Sequence, residues 1–162
     1  MATTLLEFQL DMLKSELETV NATIRQMDEI TKSVKEWAIG LWTAAVGGAI
    51  VTSRLSPFVG ITAAIPLLFW LVDTWHRRIQ RKFIWRSDEI SRFLNGPALS
   101  KSFESNRVVG FTLLDPASRT ATDPKYWDFI SWRRVMWFKS LSILYVGLAT
   151  LSLIIALVVR FM

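Results

Sequence analysis

The chain contains no cysteine, so it can build neither a disulfide framework nor a thiolate metal site. Its single histidine, His76, excludes a two-histidine zinc motif. A ribonuclease-type Arg-x4-6-His pattern also fails, because no arginine precedes His76 within that window. Flanked by Arg77 and Arg78, His76 reads as an interfacial residue rather than a base or ligand. No nucleophile elbow and no phosphate-cradling glycine loop occurs. The carboxylates Asp88-Glu89 and Asp123/Asp128 fall on polar surfaces, and pairing alone does not make an acid–base site. These absences predict a protein that is not an enzyme and holds no cofactor or metal.

Charge is missing from three long stretches, and this decides the expected class. Trp37–Ser53, Leu55–Val72 and Ser140–Val159 carry no ionised side chain. A helix needs roughly 20 apolar residues, with tolerance to about 17, to cross the hydrocarbon core of a bilayer. Only Arg54 separates the first two runs, which predicts a tight helical hairpin. The sequence thus predicts an all-α integral membrane protein: a long coiled-coil-like N-terminal helix, a membrane hairpin and a third, C-terminal transmembrane helix. With no charge inside any run, active transport through an intramembrane relay loses ground. Glu7 and Asp11 before any apolar run are the wrong pattern for a cleavable signal.

Orientation follows from the basic residues. Asp73–Lys139 holds thirteen Lys or Arg against seven Asp or Glu, whereas the opposite side is left with Arg54 and the Arg160-Phe161-Met162 tail. The positive-inside bias places the N-terminus and the middle segment in the cytoplasm, with the Arg54 turn and the C-terminus outside. Trp37, Trp42, Trp70, Trp75 and Trp137 fall near the expected cytoplasmic interface, where an amphipathic indole is at home. The net charge of +5 reads as affinity for anionic lipid, and direct nucleic-acid binding is disfavoured.

Five segments are expected: a cytoplasmic heptad helix (1–36), the membrane hairpin (37–72), a basic helical extension (73–97), a cytoplasmic loop (98–125), and an amphipathic segment with the third span (126–162). In the first, Leu6, Leu10, Leu13, Leu17, Val20, Ile24, Met27, Thr31 and Val34 recur at alternating spacings of four and three. Glu7, Asp11, Lys14, Glu18, Arg25, Asp28, Glu29 and Lys32 take the outward positions. Neither glycine nor proline occurs before Gly40, so one helix is expected from about Thr4 to Thr52. Leu10, Leu13, Leu17, Val20, Ile24 and Met27 are the candidate oligomerisation seam. The alternatives are a coiled coil within the chain, or an amphipathic helix lying on the membrane or folded back on its own chain.

Gly40, Ala44 and Gly48, with Gly47 alongside, form a small-xxx-small ladder that lets helix backbones approach closely in lipid. The facing element is the second span, with Gly60, Ala63 and Ala64, or a neighbouring subunit. Packing within the hairpin is preferred to a pore-lining role. Pro66 should kink the second span. Beyond Val72 that helix continues with Arg77, Arg78, Arg81, Lys82 and Arg86, candidates for contact with anionic lipid or a partner, until Asn95-Gly96-Pro97 stops it in a left-handed cap. Asp73 and Arg77 should form an ordinary helix-surface ion pair. The basic face suits the acidic face of the N-terminal helix. Within the loop, Val108–Leu114 is expected to pair as an edge strand or to dock on the stalk.

The layout of Leu5–Asn95, a cytoplasmic helix feeding a two-helix membrane hairpin followed by the basic helix His76–Asn95, resembles the small transmembrane effectors of bacterial antiphage and conflict systems, of the SLATT type. The third span departs from that two-span plan. The resemblance implies a homo-oligomer that disrupts the inner membrane, as a pore or otherwise, once a soluble sensor protein or signalling nucleotide reports infection on the cytoplasmic side. The alternative is a non-enzymatic membrane anchor that docks a soluble partner.

Overall fold

An uninterrupted run of helix-compatible residues becomes one helix, α1, over Leu5–Val51. Its start is a reciprocal capping box: the Thr4 N–H donates to Glu7 Oε2 at 2.7 Å, and the Glu7 N–H donates to Thr4 Oγ1 at 3.2 Å. The second helix, α2, spans Leu55–Leu94 and continues through Pro66. Four shorter or later helices follow: α3 (Pro97–Ser105), α4 (Pro124–Phe129), α5 (Trp132–Met136) and α6 (Lys139–Phe161). The computed structural model describes residues 4–51 and 55–161, and the side chains of these apart from 55–61 and 159–161. The expected Arg54 turn, the side chain of Arg160 and Met162 therefore lie outside the described residues, as does any packing by Gly60. Among the described residues there is no strand, and the architecture is all-helical.

The chain divides into two compact units. Unit 1 comprises the chain up to Met27 together with Ile79–Ile130; unit 2 comprises Asp28–Arg78 and the chain from Ser131 onward. Both α1 and α2 therefore contribute to each unit, and the five sequence segments regroup.

In unit 1, α1 and α2 run antiparallel: Asn21 pairs with Ser87, and the carbonyl of Ile24 accepts from Gln80 Nε2. Leu13, Ile90 and Phe93 form its core, with Leu17, Ala98, Leu99, Val108, Phe111 and Leu113 packed against them. Val108, Phe111 and Leu113 thus dock on the helices, and no edge strand forms. Glycine explains the α2–α3 corner, though not through the expected left-handed cap. Gly96 has φ −105° and is the N-cap of α3, with Pro97 in its first turn. A Cβ at Gly96 would lie 2.7 Å from the Arg92 carbonyl oxygen, so close backbone approach is what demands the small residue.

In unit 2, Ala38 of α1, Trp70 of α2 and Leu141 and Tyr145 of α6 form the core. Trp42, one turn beyond Ala38, donates to Ser152 further along α6, so these two helices run parallel. Within the uncharged runs of this unit the outward surface is largely apolar on all three helices, with Val51 at 84%, Leu68 at 61% and Ile143 at 74% exposure, whereas Asp28, Glu29, Lys32 and Glu36 are exposed nearer the start of its α1 segment. One stretch among the described residues, Pro124–Val158, is long and apolar enough to cross a membrane; its apolar part is α6, and only 17% of it is buried.

Candidate functional site

Two clusters of buried polar side chains stand out, one in each unit. In unit 2, Asp73 is fully buried, and its Oδ2 accepts from the Tyr145 hydroxyl at 3.0 Å. Tyr145 reaches it because Leu141 and Tyr145, one turn apart, share the buried face of α6. Arg77 follows Asp73 by one helical turn, with Nε 3.9 Å from Asp73 Oδ1, and neither atom makes a hydrogen bond. This corrects the expected surface ion pair: the two residues face each other, but the carboxylate sits in the core, covered by an element about seventy residues away in sequence. Lys35 and Arg77 supply positive charge that bears on Asp73. His76 Nδ1 lies 2.9 Å from the Val72 carbonyl, which only accepts, so that nitrogen carries its proton and donates within the helix.

Around this pair, other polar groups in unit 2 are satisfied across helices. Trp70 Nε1–H donates to the Met136 carbonyl at 3.1 Å, and Trp42 Nε1–H to Ser152 Oγ at 2.8 Å. These two indoles are therefore packing elements, whereas Trp37, Trp75 and Trp137 are exposed. Thr74 Oγ1 donates back to the Trp70 carbonyl at 2.7 Å. Buried polar groups thus accompany the apolar core where the helices of this unit meet.

In unit 1, Arg86 is 2% exposed. Its Nε donates to Glu16 Oε1 at 2.8 Å, one terminal nitrogen to the Thr112 carbonyl at 2.6 Å and the other to Glu89 Oε2 at 3.5 Å, and the guanidinium lies 4.6 Å from the centre of the Phe111 ring. Glu16 also accepts the N–H groups of Leu114 at 2.8 Å and Asp115 at 3.0 Å. Leu114 holds φ +57°, a costly conformation for a leucine, and the two donated bonds hold it there. Asp115 in turn accepts from the backbone of Arg119 and from the backbone and hydroxyl of Thr120, at 2.6 to 2.8 Å. Burial opposes ionisation of Asp115, but these three bonds and the Arg86 charge outweigh it and hold the carboxyl below its ordinary range. Glu16 and Asp115, both buried, and the partly exposed Glu89, which accepts from Ser118 Oγ at 3.2 Å, thus organise the loop. A cleft of about 400 Å³ opens beside them, lined by Trp85, Arg86, Glu89, Arg92, Phe111 and Asp123 among others.

The sequence-derived candidates are distributed as follows. Leu13 is buried against the chain's own Ile90 and Phe93, Val20 is fully buried, and Leu10, Leu17, Ile24 and Met27 are half-buried. Within the single chain the seam faces inward in unit 1, in keeping with the intrachain alternative, while four of its six residues keep partly exposed surface. Gly40, Ala44, Gly47 and Gly48 are exposed, and among the described residues a Cβ at any of the three glycines meets nothing within 4 Å. The five basic residues are divided between the two units. Arg77 faces Asp73, Arg78 lies 5.7 Å from the Trp132 ring, Arg81 sits 4.0 Å over Phe129 and Lys82 is half-buried. Arg86 is turned inward onto Glu16, so its assignment to anionic lipid is corrected.

Glu16 and Tyr145 were not singled out by sequence reasoning, although each carried a signal. Glu16 lies three residues after Leu13 and four before Val20, an acid on the seam face. Tyr145 is a hydroxyl inside an otherwise apolar run. Among the described residues no group of three or more His, Asp or Glu could hold a metal ion. No protein-family model matches this chain, and neither does any curated protein or solved structure.

Proposed function

We propose that the chain is a multi-pass inner-membrane protein whose unit 2 spans the bilayer through 37–53, 55–72 and 140–159, with unit 1 in the cytoplasm. The observation that carries this reading is the inversion of unit 2. Ile39, Leu41, Leu67, Leu71, Leu153 and Leu157 point outward, while Asp73, Thr74 and Ser152 are buried. In water an apolar surface spread over three helices is a severe liability; in lipid it is the expected exterior, with polar side chains turned to the bundle interior. Retention in the membrane pellet after alkaline carbonate, with a cysteine introduced at position 54 labelled from the outer side only, tests the topology. Release by carbonate, or labelling from the cytoplasm, overturns it.

Within that setting the chain acts as a non-enzymatic effector that assembles through the exposed Gly40–Gly48 face of α1 and perturbs the membrane. The exposure of the small residues Gly40, Ala44 and Gly47 supports this reading, since small side chains let a second helix backbone approach closely. Dye release from vesicles reconstituted with the full chain, lost on Ala44→Leu, is the expected result. Vesicles that stay tight at all protein densities, together with a monomeric mass in detergent, remove it. A second reading, an anchor docking a soluble partner, draws on the exposed Phe8, Phe103 and Leu114 of unit 1. Stoichiometric capture of one soluble protein by the chain in tight vesicles favours it.

A further inference from the structure

We infer that α5 and the turn into α6 form a binding surface for the phosphate of anionic phospholipid headgroups. The inference deepens the membrane reading and rests on it for the depth at which this turn lies. α5 is only five residues long, and its sides differ: Val135 is buried, while Trp132, Arg133 and Arg134 are exposed. The turn is fixed rather than loose. Ser131 caps α5 by accepting from the Arg134 N–H, and the Met136 carbonyl accepts from Trp70 Nε1 and Ser142 Oγ. Its outer surface is a run of indoles: Trp75 and Trp132 lie 6.0 Å apart, and Trp137, packed edge-on against Trp70 at 5.6 Å, is 63% exposed.

Exposed indoles held on a rigid turn suit the boundary between headgroup and acyl chain, where an amphipathic ring satisfies both media. Charge sets which headgroup. Arg133 and Lys139 flank Trp137 and are both exposed, and residues 131–162 contain no Asp or Glu. A guanidinium matches a phosphate bidentately, and an ammonium binds it as a point charge. With no carboxylate in the segment to neutralise them, these cations favour phosphatidylglycerol over a zwitterionic lipid.

Native mass spectrometry of the full chain in mild detergent, with phosphatidylglycerol or phosphatidylcholine added, reads the preference directly. About 10-fold greater retention of phosphatidylglycerol is expected, falling toward parity in Arg133→Gln/Lys139→Gln, because each basic residue near an anionic surface contributes substantially to binding. Lys14→Gln/Arg25→Gln, which removes two exposed charges from unit 1, should leave the ratio unchanged. Equal retention of both lipids by the unaltered chain, or an equal loss in the two variants, overturns the inference. Carbonate release with the lipid preference intact would defeat the membrane-spanning topology and leave the headgroup site standing.

Discussion

Glu16 takes hydrogen bonds from a guanidinium and two backbone N–H groups, and all three donors point into unit 1. Removing it leaves the buried guanidinium with the Thr112 carbonyl and a longer 3.5 Å contact to the partly exposed Glu89, which is costlier than losing the pair as a whole. Breaking one side of such a pair costs about 3–5 kcal/mol, whereas an apolar replacement of both sides is often nearly neutral. Glu16→Ala is therefore expected to destabilise unit 1 by that amount in denaturant titration, and Glu16→Leu/Arg86→Met by much less. A double variant as unstable as the single one would show that the loop, rather than the stranded charge, sets the cost. Asp115 gives a pH signature. Its folded pKa lies below the unfolded value of about 3.9, so the unfolded chain binds the proton more readily. Its stabilisation is complete above that unfolded value and is lost as pH falls through the folded one. Asp115→Asn should flatten this part of the acid-unfolding profile while leaving stability near neutrality only modestly reduced; an unchanged acid limb would count against the bonding described.

At the scale of elements, what was legible was local and what was not depended on distant covering. The seven-residue rhythm of α1 correctly marks its buried face, since Leu6, Leu13, Val20 and Thr31 are buried and Glu7, Asp11, Glu18 and Arg25 are exposed. A rhythm identifies a stripe but carries no label for its partner, and here the partner is α2 of the same chain. Asp73 and Arg77 are correctly read as neighbours because helical spacing is intrinsic to the segment. That the carboxylate is buried depends on Tyr145, which local spacing cannot see. The Asn95-Gly96-Pro97 stop falls in the right place for a different reason: Gly96 is required by a 2.7 Å approach to the Arg92 carbonyl, with φ in the ordinary negative range. Gly96→Ala should therefore cost about 1–3 kcal/mol, as overpacking against backbone does, and D-Ala introduced by semisynthesis should give no rescue of the kind expected at a left-handed site. A neutral Gly96→Ala, read by thermal unfolding, would show that the corner opens freely.

For the whole molecule, the proposed membrane setting changes which interactions matter in unit 2. Between helices in lipid there is no hydrophobic drive, so close packing and interhelical hydrogen bonds carry the association. Such bonds among the described residues include Trp42 to Ser152, Trp70 to Met136, and Tyr145 to Asp73. Of these three, the last alone has an ionisable group on both sides, and it ties α6 to α2 at a carboxylate with no exposed surface. Tyr145→Phe keeps the ring and deletes the donor, leaving Asp73 Oδ2 without that bond at a cost of about 1–3 kcal/mol. Asp73→Asn removes the charge but keeps an acceptor, so it should cost less and should shrink the penalty of a following Tyr145→Phe. A double-mutant cycle in detergent, followed by loss of helix on titration with a denaturing surfactant, reads the coupling. An interaction energy of about 0.5–3 kcal/mol is expected for residues in direct contact. Strict additivity would mean that α6 is held by its apolar face alone, and the Asp73–Tyr145 bond would then be a consequence of docking rather than one of its causes.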